Sequence, residues 1–261
     1  MRTTVGLRSR KMRCLVMFLL LALPAFSAIT RTARGTNAEK VRDRSFTCPS
    51  AEFTPAATDL IIFVVVHDNT SAFAVVPTWS GSGGYFSANN GLPITEGGIN
   101  VSAWRRTGEA TLGHAVMTFS GDVRAKACFM VTISGTLGVP ALDVVANPSA
   151  FGSTTGVASG SIMCAPAPGG DCFWLAALGV EGPSDDAAPT WTNPDNAGQR
   201  AGTSAGGATT NVTINEGFEI VPNGVAQAVS AMLGTARDWL MQFVTYRDAA
   251  AAAIRESATR K

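Results

Sequence analysis

The stretch Asp59 to Asp68, DLIIFVVVHD, sets seven consecutive apolar residues, Leu60 to Val66, between two aspartates. Its length and its Ile, Val and Phe content suit a β-strand, and a strand with no polar residue at its centre needs cover on both faces. The second half of the chain answers it with Asp171 to Glu181, DCFWLAALGVE. Other segments recur in the same order. Ser45-Phe46-Thr47-Cys48 is matched by Ser161-Ile162-Met163-Cys164, and Pro77-Thr78-Trp79 by Pro189-Thr190-Trp191, each tripeptide eighteen residues past its aspartate. Both halves close on an arginine-led run ending Val-Thr, Arg124 to Thr132 and Arg237 to Thr245. The chain therefore reads as one five-segment unit present twice, over residues 45–134 and 152–247.

Around this unit the chain has the composition of an all-β protein with frequent turns: 261 residues, 46% apolar, with 27 Gly and 13 Pro. Only 15% of residues are charged and the net charge is +1, so there is no basic field of the kind duplex nucleic acid demands. At the N-terminus, Arg2, Arg8, Arg10, Lys11 and Arg13 precede the apolar run Cys14 to Leu23, and Ala25-Phe26-Ser27 offers small residues for cleavage. Residues 1–28 read as a secretory signal, the alternative being a misassigned start. No later segment reaches the roughly 20 apolar residues of a membrane span, so the expectation is a mature chain without one, secreted or carried on a virion. Residues 249–261 read as a tail.

Four cysteines remain after such a signal: Cys48, Cys128, Cys164 and Cys172. Cys164 and Cys172 flank the loop APAPGGD and form the disulfide candidate. The repeat sets Cys172 opposite Leu60 and Cys128 opposite Met241, which reads those two as small core hydrophobes instead.

Along the chain, residues 29–44 form an arginine-rich lead-in or first edge strand. Strands are expected at Ser45 to Cys48, Asp59 to Asp68, Asn100 to Gly108, His114 to Phe119 and Lys126 to Ile133. Val225 to Val244 has helical propensity, but its counterpart in the first half is plainly β, which predicts strands at Ala226 to Met232 and Trp239 to Tyr246. The join, 134–151, includes a short strand at Leu142 to Ala146. Aliphatic Val139, Leu142, Val144 and Val145 in this join favour a single two-sheet, jelly-roll-like sandwich over residues 29–248, built from both halves, over two tandem domains.

Chemistry is sparse. Gly202-Thr203-Ser204-Ala205-Gly206 matches G-x-S-x-G, yet no buried strand precedes it, no helix follows, and His67 and His114 both lie upstream. Neither histidine stands with a carboxylate and a nucleophile at telling spacing, so no catalytic residue is assigned. Glu181, Asp185, Asp186 and Asp195 lie on one loop around Trp191 and are the one weak calcium candidate, since calcium takes about six to eight oxygens; solvated loop charge is the plainer reading. No cofactor is implied. Trp79 and Trp191, with Asp185, Asp186 and Asp195, are the candidate ligand-binding residues, an indole being suited to stack on a sugar ring. Their recurrence at equivalent positions favours a packing role at the ends of the core. Asn69, Asn100 and Asn211 begin sequons that matter only in a eukaryotic secretory host.

The strand opening DLIIFVVV, the Pro-Thr-Trp loop, the paired Arg105 and Arg106, and the closing Arg237-Asp238-Trp239 strand resemble the jelly-roll-like β-sandwich domains of tailed-bacteriophage virion proteins. The resemblance covers about residues 29–248. It implies a non-enzymatic tail, fibre or decoration component that binds partner subunits or host-surface glycans and can assemble as a homo-oligomer. The signal-like N-terminus departs from that family and points to the alternative, a secreted carbohydrate-binding or carbohydrate-active protein.

Overall fold

The computed structural model describes residues 29–68, 74–88, 94–96, 98–135, 140–145, 150–164, 171–204, 207, 210–222 and 225–247. The expected signal (1–28), the tail, Asn69, Val139, and Ala205 and Gly206 lie outside the described residues. The first half forms β1 (Thr30–Glu39), β2 (Asp43–Phe53), β3 (Asp59–His67), β4 (Ala74–Trp79), β5 (Ser87–Ala88), β6 (Ile94–Glu96), β7 (Ile99–Thr107), β8 (Gly113–Val123) and β9 (Lys126–Ser134). The join and second half form β10 (Ala141–Val145), β11 (Ala150–Gly152), β12 (Gly156–Ala158), β13 (Ile162–Met163), β14 (Asp171–Val180) and β15 (Thr190–Asn193). They continue with β16 (Asn196–Gly202), β17 (Thr213–Pro222), β18 (Ala226–Gln227), β19 (Ser230–Met232) and β20 (Trp239–Arg247). The helix-prone C-terminal stretch is thus β-structure.

The protein is all-β, and its strand pairs are antiparallel. One large sheet runs β1-β9-β3-β7-β5, with β6 also on β7, and the other runs β10-β20-β14-β17-β16, with β11 also on β20. Smaller sheets, β2-β8-β4 in the first half and β12-β19-β15 with β13-β18 in the second, complete the set. Each long apolar strand is central: β3 lies between β9 and β7, β14 between β20 and β17.

Strand periodicity explains the layering, because successive side chains leave a strand on opposite faces. Ile61, Phe63 and Val65 of β3 join Phe46, Met117 and Phe119 in a core under the small sheet of the first half. Ile62, Val64 and Val66 point the other way and meet Phe173, Leu175, Leu240 and Val244 in a core shared by both halves. β14 repeats the division, sending Trp174, Ala176 and Leu178 toward Val157, Ala231 and Phe243. The result is four layers, small sheet, large sheet, large sheet, small sheet, with three cores between them. This corrects the expectation of one two-sheet sandwich: strands apolar on both faces at the centre of each half require a cover on each side, so each half carries its own small sheet. The two large sheets come close at one end. A Cβ on Gly179 of β14 would stand 2.5 Å from Val101 and 2.9 Å from Val66, so only glycine fits there.

Polar side chains tie the halves along the rim of the central core. Arg31 on β1 donates to both carboxylate oxygens of Glu216 on β17, at 2.7 and 2.5 Å. β1 shifts register against β9 between Ala33 and Gly35, and there the side-chain amide of Gln199 on β16 accepts from the Gly35 N–H at 2.8 Å and donates to the Met130 carbonyl at 2.6 Å. A second-half side chain thus supplies partners that the bulge takes from the first-half ladder. Lys40 donates to Thr210 and Asn211, and buried Gln242 donates to the Val101 carbonyl at 3.0 Å.

Two disulfides are present. Cys48 of β2 bonds to Cys128 of β9, Cα atoms 6.3 Å apart, linking the small and large sheets of the first half. Cys164 bonds to Cys172 at the start of β14, Cα atoms 6.4 Å apart. All four residues are buried. The reading of Cys128 and Cys172 as core thiols is therefore corrected in part: they occupy core positions, and each is oxidised with a partner from another strand or segment.

Candidate functional site

Trp79 and Trp191 hold the same relation to their sheets. Trp79 of β4 pairs with Ala115 of β8, and Trp191 of β15 with Ala231 of β19. Their environments differ. Trp79 is fully buried; its indole N–H donates to the Thr111 carbonyl at 3.3 Å, Phe53 at the end of β2 packs edge-on with ring centroids 5.2 Å apart, and the Arg106 guanidinium lies 5.8 Å from its ring centroid. Trp79 is a core plug and is closed to ligands. Among the described residues Trp191 has no such cover. Where the first half has the eleven-residue β2, the second has only β12 and β13, two short strands in separate sheets. Trp191 remains half-buried, the only one of the five tryptophans outside the buried class.

The seat of Trp191 is built by β17. A Cβ on Gly217 would stand 2.8–2.9 Å from the Cδ2, Cε3 and Cζ3 atoms of the indole, so the bare backbone at Gly217 is what lets the ring lie against the strand. Glu219, two residues on and therefore on the same face, accepts from Gln227 Nε2 at 3.4 Å. Gln227 Oε1 accepts from Asn193 Nδ2 at 2.5 Å. Asp195, just after Asn193, accepts from the Asn196 amide at 2.7 Å. Burial and then the nearby Asp195 charge raise the Glu219 pKa above its ordinary value. Trp191 thus lies half-open against Gly217, while Asn193, Gln227 and Glu219 form a hydrogen-bonded run across β15, β18 and β17; an exposed aromatic face and polar side chains are the groups that sugar ring faces and hydroxyls match.

Asp186 and Glu181 are engaged elsewhere. Asp186 holds Arg237 through two hydrogen bonds, at 2.7 and 3.1 Å, and its carbonyl accepts from Arg200 at 2.7 Å. Asp185 is exposed. The depression beside Asp186, Arg200 and Arg237 has a cavity volume of about 20 Å³, room for a single water and none for a sugar ring. Among the described residues no group of three or more His, Cys, Asp or Glu side chains is placed to hold a metal. Gly202 to Ser204 leads out of β16, and Thr203 exchanges backbone and side-chain hydrogen bonds with Val212; Ser204 is exposed. His67 is buried edge-on against Phe119, ring centroids 4.9 Å apart. Asn100 and Asn211 are buried, which leaves no room for an attached glycan.

Glu181 lies instead at the seam between the halves, its carboxylate 3.2 Å from where a Gly98 Cβ would stand. Burial, Asp238 and Asp68 raise its pKa, and Arg237 opposes them. A raised carboxylate favours the protonated folded form, so its stabilising contribution is complete below the ordinary value of 4.5 and is lost as pH rises through the folded value. Glu181→Gln is therefore expected to raise the thermal midpoint at pH 7. Melts across pH check this, because the difference from wild type closes below about pH 4.

No helix among the described residues is long and apolar enough to cross a membrane. Compared with protein-family models, with curated proteins and with solved structures, the chain shows no match.

Proposed function

We propose that this chain is a non-enzymatic, adhesive β-sandwich protein that binds glycans outside the cell or on a particle surface, using the half-exposed face of Trp191. The observation that carries the reading is the contrast between two equivalent tryptophans, one sealed into the core and one left half-open against Gly217. Two disulfides accord with an oxidising compartment. The finer fold reading belongs here too. The paired orders β1-β9-β3-β7 with β2-β8-β4, and β10-β20-β14-β17 with β12-β19-β15, support each half as a jelly roll, and the two as copies of one duplicated unit. A tailed-phage virion component of this kind would turn the Trp191 face toward host-surface glycans, and a secreted protein would use it in the same way.

The test is a glycan array with the folded chain. Trp191→Ala is expected to stay folded and to lose at least about tenfold in affinity, the scale of a lost aromatic stacking contact with its buried area. Trp79→Ala, by contrast, is expected to lose about 3–5 kcal/mol of stability. Absence of glycan binding by the wild type, or a Trp191→Ala variant that binds as well as it, refutes the proposal.

A further inference from the structure

Lys126 opens β9 with its side chain fully enclosed. Three oxygens surround its Nζ: Asp43 Oδ1 at 2.5 Å, the Val41 carbonyl at 2.7 Å and Glu39 Oε1 at 3.4 Å. Glu39 ends β1 and Asp43 begins β2, so the amine stands where three strands meet. Every other ion pair among the described residues is made by arginine, whose guanidinium stays charged, whereas a lysine amine can act as a nucleophile. Cys128 and Met130 leave β9 on the same face as Lys126 and belong to the first-half core. Cys128 is already joined covalently to Cys48 of β2. Lys126 and Asp43 therefore form a second rung between the same two strands, beside one that is a bond.

We propose that Lys126 and Asp43 condense to an isopeptide amide, with Glu39 relaying protons. Glu39 takes a proton from the ammonium, and the free amine attacks Asp43 Cγ. The Nζ–Cγ bond forms and one Cγ–O bond breaks. Of the three ammonium protons, two leave with that oxygen as water, carried in turn by Glu39, and one stays on the amide nitrogen, where it can still donate to the Val41 carbonyl. Glu39 ends as it began, and no oxidant or other reactant is needed. Condensation of a free amine with a free acid is unfavourable in water; a pair held in contact gains an effective molarity of up to about 10⁵–10⁸ M, which offsets that. The Asp43 side chain is 42% exposed, which gives the water a way out. The amide would tie the first strand of the repeated unit to its last, a use that suits a protein loaded by pulling and that does not depend on glycan binding. It closes nearly the same loop as the disulfide, 83 residues against 80, so each shows its full effect on stability only in a chain lacking the other. Lys126→Arg is thus the background in which loss of that disulfide is read by itself.

Intact mass of the full chain, denatured and with its disulfides reduced, reads the bond directly. The wild type is expected to be one water lighter than its sequence and to give a branched proteolytic fragment joining Asp43 to Lys126. Lys126→Arg and Asp43→Ala are expected at full sequence mass. Glu39→Gln, shown to be folded by circular dichroism, is also expected at full mass, because the amide side chain cannot relay the protons. A wild type at full mass leaves Lys126 in an ordinary ion pair and overturns the inference, as does a water loss that maps to other residues. Amide formation that persists in Glu39→Gln overturns the role given to Glu39. The wild-type measurement stands whether or not any variant folds.

Discussion

Replacing Glu216 with alanine is expected to cost about 3–5 kcal/mol of stability, the scale of breaking one partner from a buried ion pair. The Glu216 side chain is fully buried and Arg31 is 12% exposed, so the guanidinium left behind stays at a dry seam with little water to replace the carboxylate. More than one contact is lost. Glu216 also accepts from the Gln199 backbone N–H at 2.8 Å, and the Arg31 guanidinium, 4.1 Å from the Phe218 ring centroid, is held there by the carboxylate. Urea denaturation measures the loss. Arg31→Met combined with Glu216→Leu is expected to recover most of it, because an apolar pair leaves no uncompensated charge. A Glu216→Ala variant within about 1 kcal/mol of wild type would place the pair among the screened surface bridges and overturn the account of the seam.

Removing the Cys48–Cys128 disulfide by a double alanine substitution is expected to cost about 4 kcal/mol in the chain-entropy picture. The two cysteines are 80 residues apart in sequence, and the cross-link restrains most of the first half in the unfolded chain. Cys164 and Cys172 are only 8 apart, and the same reasoning gives about 2–3 kcal/mol for their removal. Denaturation of the two double variants in parallel checks the ordering. Equal losses, or a larger one for the Cys164–Cys172 pair, would mean that packing of the sulfur atoms outweighs loop closure.

Much of the scaffold was legible before any coordinates. The apolar runs at Leu60 to Val66 and Cys172 to Val180 locate the central strands of the two large sheets, and comparison of the halves turned the helix-prone Val225 to Val244 region into β-structure. The small sheets were less legible. β4, β15 and β16 carry Pro, Thr, Gly and Asn in short runs whose pattern does not separate strand from loop. The site was legible only in part. Trp191 and Asp195 stand out by type and position, but Glu219, Gln227 and Gly217 are ordinary residues of other strands. Only the packing of strands brings Gly217 to the Trp191 ring and joins Glu219 to Gln227 and Gln227 to Asn193.

Alternation and composition along the chain determined that this protein is β-structured and that its two most apolar strands are covered on both faces, since the period-2 rule fixes which residues share a face. The tertiary structure alone decided what covers each face: that each half has its own small sheet, that Cys128 meets Cys48, that Asp186 is held by Arg237, and that of two equivalent tryptophans only Trp191 is left open. Local periodicity sets the direction of a side chain, whereas its neighbours come from segments tens to hundreds of residues away, brought together by the stacking of sheets.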